Sequence, residues 1–253
     1  MPLIDSHSHI DFSEFYTDRQ DAIKRAKNIG VSHIMVSATT AQRWQNIKEV
    51  VASSSLCFAA YGLHPMFLKE HKREHLDDLK NWVEKEKPSA IGEIGLDYFI
   101  QDTDQAEQLA FFVSQLEIAN HFKLPVIIHA RKSLDIVLKH LRQFNHLTGS
   151  IHSFSGSEQQ AKQLIDLGFY LGFGGPITYT RATRLRSLVE KLPLESILIE
   201  TDSPDQPDTK HWGERNEPAF LPIIADTIAE LRNISVEDVA KITSRNAQTL
   251  FNF

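Results

Sequence analysis

Short apolar runs alternate with longer amphipathic stretches along most of the chain, the order expected of parallel strands joined by crossover helices. Eight runs read as strands: about Pro2 to His9, Ser32 to Ser37, Leu56 to Leu63, Ala90 to Leu96, Pro125 to His129, Gly149 to Ser153, Phe169 to Phe173 and Ser196 to Thr201. Between the fourth and fifth, Leu109, Phe112, Val113 and Leu116 recur at three- and four-residue spacing, which predicts a helix with one apolar stripe laid on a barrel. Asp104 or Thr103 is placed to cap it, with Glu107 in its first turn. A last helical pair, about Pro218 to Leu231 and Ser235 to Thr243, closes the ring, with Ser235 and Asp238 spaced as a capping pair. The rival, a doubly wound open sheet, usually carries a Gly-rich fingerprint after the first strand, and the residues after Ile4 offer none. The expected fold is α/β, a single (β/α)8 TIM-type barrel over residues 1–253 with an additional C-terminal helix.

Polar residues break the apolar runs at their exits. In His7-Ser8-His9 the two-residue repeat of a strand aims both imidazoles at one face, with Asp5 on the same parity. Glu93 follows Gly92 inside an apolar run, where a carboxylate without a partner is expensive. His129 ends Val126-Ile127-Ile128, His152 follows Ser150-Ile151, and Asp202 follows the run ending at Thr201. A histidine at a strand end is by itself more often structural than a ligand. In a barrel, however, all these exits open at one mouth, where such folds keep their chemistry.

Six groups from five strands are too many for one four-coordinate zinc ion. They point to two divalent metal ions about 3.5 to 4 Å apart, bridged by a carboxylate and a water or hydroxide. Mixed nitrogen and oxygen donors suit zinc or manganese and argue against calcium, while magnesium fits where substrate phosphate supplies ligands. Around this set, Arg131 offers a fork of donors for a phosphate or is a surface arginine in a helix's first turn. His64, before Pro65, touches phosphate, supports the ligands or simply shapes a turn. Phe154 either stacks on a terminal base or packs locally. Gly172, Gly174 and Gly175 allow close backbone approach to a phosphate or a tight turn before Pro176.

A formal net charge of -6 weighs against a broad basic face that coats nucleic acid, though a nucleic-acid end held by metal ions remains compatible with it. One cysteine, Cys57, excludes an internal disulfide and suits a reducing compartment. No stretch approaches the roughly 20 apolar residues of a membrane span, and Met1-Pro2-Leu3-Ile4-Asp5 lacks the basic-then-apolar order of a signal peptide. A cytoplasmic monomer with no membrane contact and no obligate protein partner is expected.

Seven motifs in order, Asp5-Ser6-His7-Ser8-His9, Gly62-Leu63-His64-Pro65, Gly92-Glu93-Ile94-Gly95-Leu96-Asp97, His129-Ala130-Arg131, His152-Ser153-Phe154-Ser155-Gly156, Glu200-Thr201-Asp202-Ser203-Pro204 and Arg215-Asn216-Glu217-Pro218, resemble the TatD-family metal-dependent hydrolases, especially the YjjV-like branch. The resemblance implies an amidohydrolase-like barrel whose metal ligands fall on His7, His9, Glu93, His129, His152 and Asp202. It also implies hydrolysis of DNA phosphodiesters by a two-metal-activated hydroxide, with Glu93 bridging and Asp202 accepting the proton of the attacking water. A narrow mouth favours ends or single strands. The alternatives are a hydrolase of a small phosphoester, amide or lactone, and a non-catalytic binding protein stabilised by metal. The chain departs from the family pattern after Asp202, where Pro204-Asp205 replaces a common Pro-aromatic pair and the Ser203–Glu214 loop follows.

Overall fold

A computed structural model of the protein describes residues 2–253. Eight strands run in chain order around one sheet: β1 (Leu3–Ser8), β2 (Val31–Ser37), β3 (Cys57–Tyr61), β4 (Ala90–Asp97), β5 (Val126–Arg131), β6 (Gly149–Ile151), β7 (Phe169–Phe173) and β8 (Ile197–Ile199). Every neighbouring pair in that order is parallel. The helices are α1 (Arg19–Asn28), α2 (Trp44–Ser53), α3 (Glu74–Glu86), α4 (Gln105–Phe122), α5 (Leu134–Leu141), α6 (Glu158–Asp166), α7 (Thr183–Lys191), α8 (Leu221–Arg232) and α9 (Val236–Phe251). This is a nearly closed (β/α)8 barrel. No helix among the described residues is long and apolar enough to cross a membrane.

The seam between β8 and β1 is stitched just past the end of β8. Asp202 N–H donates to the His7 carbonyl at 3.0 Å, and His9 N–H to the Ser203 carbonyl at 2.7 Å. Asp5 reinforces it by accepting from Thr201 N–H at 2.9 Å and from the Thr201 hydroxyl at 2.6 Å. The register of β1 shifts between Asp5 and Ser8, which breaks the two-residue alternation. Asp5 therefore faces the seam while His7 and His9 face the mouth, contrary to the shared parity expected of all three.

Inside the barrel Ile4, Met35, Ala60, Ala90, Ile127 and Leu198 form one apolar layer, sealed by Ala247, Leu250 and Phe251 of α9. That plug explains why α9 runs on to Phe251 and does not stop near Thr243. Its start follows the expected capping pair, with Asp238 N–H donating to Ser235 Oγ at 3.1 Å. In α4 the cap is Asp104, which accepts from Glu107 N–H at 3.0 Å. The buried face of α4 is rotated from the expected stripe: Leu109 and Val113 are only half-buried, and Gln108, Phe111, Phe112, Gln115, Leu116 and Ala119 point inward.

Candidate metal centre

Glu93 lies within β4, 1% exposed, and its two carboxylate oxygens face different neighbours. Oε2 is 3.0 Å from His7 Nε2 and 3.3 Å from His9 Nε2. Oε1 is 2.8 Å from His64 Nε2, 3.1 Å from His129 Nδ1 and 3.3 Å from His152 Nε2. Asp202 brings a second carboxylate to the Oε2 side, with Oδ1 3.4 Å from His7 Nε2 and 3.7 Å from His9 Nε2. Three overlapping sets, His7–His9–Asp202, His7–Glu93–His152 and His64–Glu93–His129, each hold their ligand atoms within 4.8 Å of one another. The strand exits thus gather all six expected ligands, with His64 as an additional member.

Hydrogen bonds behind the rings set which nitrogen faces inward. His9 Nδ1 donates to the Ser37 carbonyl at 2.9 Å, and His7 Nδ1 lies 3.0 Å from the Ser37 hydroxyl. One residue at the end of β2 therefore orients both rings, leaving their Nε2 atoms 3.2 Å apart. His129 Nε2 donates to Asp97 Oδ2 at 2.9 Å, which leaves Nδ1 toward Glu93. His152 Nδ1 lies 3.4 Å from Glu200 Oε1. Carboxylate or carbonyl partners of this kind fix the tautomer and raise the basicity of a metal-binding imidazole. His64 differs. Met66 N–H donates to its Nδ1 at 3.1 Å, so its Nε2 carries the proton and donates it to Glu93 Oε1. Burial pushes its pKa down to about 4 against the pull of Glu93. His64 therefore steadies Glu93 as a neutral donor, and its ring turns into the cluster, not outward to a substrate phosphate.

Burial alone would raise the Glu93 pKa, but the hydrogen bond from His64 and the charged imidazoles facing it, His7 among them, outweigh it and hold the carboxylate well below its ordinary range. Asp202 is lowered in the same way, with burial opposed chiefly by His152 and His7. Conversely, burial depresses His7 and His129, yet the facing carboxylates prevail. His7 is held well above its usual value by Glu93 and Asp202, and His129 rises to about 9 through Asp97 and Glu93. Protons on imidazoles thus balance the buried carboxylates, a balance that divalent cations would supply instead. Glu93 Oε2 and His129 Nδ1 are buried without a hydrogen-bond partner, although such atoms are normally satisfied. Unpartnered buried atoms in a mixed nitrogen and oxygen set fit first-row divalent ions, which would displace the proton held by His129.

The TatD related DNase family profile matches residues 4–252. The chain belongs to this family. It is 38% identical over 253 residues to the uncharacterized metal-dependent hydrolase YjjV of Escherichia coli, covering 99% of this chain and 98% of that protein. It is 34% identical over 251 residues to the uncharacterized metal-dependent hydrolase YabD of Bacillus subtilis, covering 98% of each. The crystal structure of the Escherichia coli YjjV TatD homolog superposes with a TM-score of 0.95 at 37% identity, covering 99% of this chain and 98% of that one. The protein is a metal-dependent hydrolase of the TatD family.

Several supporting residues of this TatD-family centre carry only weak sequence signals. Asp97 and Glu200 stood in the recognised motifs without a role; each is a carboxylate at the exit of an apolar run. Ser37, Gln108 and Gln115 carry no local signal. Gln108 accepts from Asp97 N–H at 2.9 Å and donates to the Asp97 carbonyl at 3.2 Å. Gln115, two turns later on α4, does the same for Leu63, at 2.7 and 3.2 Å. One helix thereby pins the exits of β3 and β4, the residues that carry His64 and the Asp97 partner of His129. Of the glycines in and after β7, Gly172 makes room for the Glu200 carboxylate and Gly175 for the Gln206 carbonyl, and Gly175 opens the tight turn at Pro176, the second of the two readings the sequence offered.

Above the cluster opens a cavity of about 550 Å³ whose wall includes Arg131, Phe154 and Gln206. Arg131 is exposed at the end of β5, its guanidinium 3.8 Å from the centre of the Phe99 ring. Phe154 is packed edge-on against Phe173 and almost sealed, so it forms wall and offers no open stacking face. The loop after β8 is ordered over one side of the mouth. Gln206 donates to Asp202 Oδ2, Ser153 Oγ donates to Gln206 Oε1 at 2.9 Å, and Asn216 Nδ2 donates to the carbonyls of Thr201 and Asp205 at 2.7 and 2.8 Å.

Proposed function

We propose that the protein hydrolyses phosphodiester bonds of DNA, acting at ends or on single strands, with two divalent metal ions of zinc, manganese or magnesium type. The carrying observation is the division of the Glu93 oxygens, one toward His7 and His9 and the other toward His129 and His152. A single buried carboxylate so placed is suited to bridge two ions. His7, His9 and Asp202 would hold one of them, and His129 and His152 the other. When bound, such ions neutralise charge on the phosphate and bring water within reach of deprotonation near neutral pH.

The remaining work falls to the chain. His64 donates to Glu93 and keeps its carboxylate in place. Asp202 stays ionised and lines the mouth, so its carboxylate is the base positioned to take a proton from an attacking water. Arg131 makes no ion pair with a carboxylate among the described residues and presents its donors to the mouth, where a phosphate oxygen would lie. Gln206, bonded to Asp202, holds the carboxylate and narrows the opening on that side.

The test is cleavage of end-labelled single-stranded and duplex DNA by metal-stripped protein reloaded with magnesium, manganese or zinc, with Asp202→Ala as the contamination control. Metal-dependent trimming by the wild type alone supports this reading and gives its polarity. A folded, metal-loaded protein that cuts no DNA but opens a small phosphoester, amide or lactone replaces it.

A further inference from the structure

Beside the mouth lies a second cavity of about 690 Å³, between the exits of β5 and β6. The two share Ala130, Arg131 and Ser155 in their walls, so they meet at Arg131. Arg131, Lys132 and Arg184 bring three cations to this second groove, in a protein whose formal net charge is -6. Neither Arg131 nor Lys132 is paired with a carboxylate among the described residues. Both sit over the half-exposed ring of Phe99 instead, at 3.8 and 4.6 Å from its centre. The ring places the two charges side by side without neutralising them.

Arg184 faces them from across the groove. One of its nitrogens donates to the Ser155 and Gly156 carbonyls, both at 2.6 Å, which holds the side chain there and leaves its other donors unassigned. The one acid in the wall, Asp135, is occupied by a hydrogen bond from Gln160 Nε2 at 2.8 Å. At the near end of α5, Ser133 spends its hydroxyl on the Leu96 carbonyl at 2.8 Å and makes no side-chain cap, while its carbonyl accepts from Ile136 N–H at 3.0 Å, so the positive helix end adds only through the amides of Leu134 and Asp135.

Resting on the phosphodiesterase reading above, we propose that this groove is a second phosphate subsite. In it Lys132 and Arg184, with Arg131 at the junction, bind the backbone phosphate adjoining the scissile one of a single-stranded polynucleotide. A substrate with one phosphate would fill only the mouth, whereas a strand would continue past Arg131 into the groove. Contacts to phosphate carry no base information, so the subsite sets affinity and length preference and not sequence.

The experiment compares wild type, Lys132→Asn and Arg184→Gln, all metal-loaded. Asparagine suits the left-handed backbone at residue 132, where φ is 54°. Two readouts are used: Kd for a fluorescent phosphorothioate single-stranded tetranucleotide over a range of salt, and kcat/KM for bis(p-nitrophenyl) phosphate, which has no adjoining phosphate. The expected result is that each variant weakens the oligonucleotide about three- to tenfold and flattens the log Kd against log salt slope by about one, with the small diester unchanged. Equal loss on both substrates, or no loss on the oligonucleotide, overturns the subsite while the phosphodiesterase reading stands. If the wild type binds no oligonucleotide, the polynucleotide reading and the subsite fall together. Lys132 is exposed, so its variant decides the matter even where Arg184→Gln misfolds.

Discussion

The Glu200 carboxylate fills the space that a side chain on Gly172 would need: a Cβ there would stand 2.2 Å from Glu200 Oε2. Glu200 is buried, accepts from Ser153 N–H and Ser6 Oγ, and lies beside His152 Nδ1. Gly172→Ala is therefore expected to keep the barrel and displace Glu200, releasing the ring of His152. Metal affinity should fall about 10- to 100-fold, as for loss of other partners behind a ligand. Calorimetric titration of the metal-free protein with manganese checks this. Unchanged affinity would show that Glu200 does not orient His152.

Glu93→Gln keeps the shape of the side chain and removes the charge around which the imidazoles are gathered. The expected outcome is a folded protein by circular dichroism whose metal affinity drops more than about 100-fold, beyond the range typical of outer partners. Metal content after gel filtration measures it. Retention of two ions per chain would remove Glu93 from the bridging role.

Metal binding should be strongly pH-dependent. His129 rises to about 9, so at neutral pH its imidazole holds a proton that a metal ion must displace. Affinity is then expected to climb as pH rises toward about 9, by up to about tenfold per unit for this one proton, and to level off above it. For the metal-free fold the sign is reversed. The folded-state pKa lies above the unfolded value, so the contact stabilises fully below about 6.5 and is lost as pH rises through about 9. Asp97→Asn, which removes the carboxylate behind His129, should flatten both dependences. Titrations in buffers of different ionisation enthalpy count the protons released, and no release near pH 7 would contradict the expectation.

Gln115→Leu fits a helix and an apolar face but leaves the Leu63 N–H and carbonyl without partners at the exit of β3. An unsatisfied buried backbone group costs about 1–3 kcal/mol, so with two such groups a loss of roughly 2–6 kcal/mol is expected in urea unfolding. The exit of β3 also carries His64, so activity should fall in the variant even where it is fully folded. Wild-type stability in the variant would mean that water replaces the glutamine.

The barrel and the cluster of candidate ligands were legible because their signals are local. A two-residue or four-residue repeat shows in a short window, and a histidine or carboxylate ending an apolar run stands out against its neighbours. Once parallel order is inferred, every strand exit belongs to one mouth, so His7, His9, Glu93, His129, His152 and Asp202 could be collected without any contact being known. What remained hidden depends on partners far apart in the chain. Asp5 turns to the seam because a register shift in β1 rotates it toward Thr201, 196 residues later. Gln108 and Gln115 face inward because the strand exits offer them unpaired amides, which outweighs the greater hydrophobicity of Leu109 and Val113. His64 turns into the cluster because the Met66 amide claims its Nδ1. Periodicity encodes which face of an element is apolar and where its polar residues sit. Which hydrogen-bond partner waits across the barrel, and which nitrogen or oxygen it leaves free, was decided only when the elements packed.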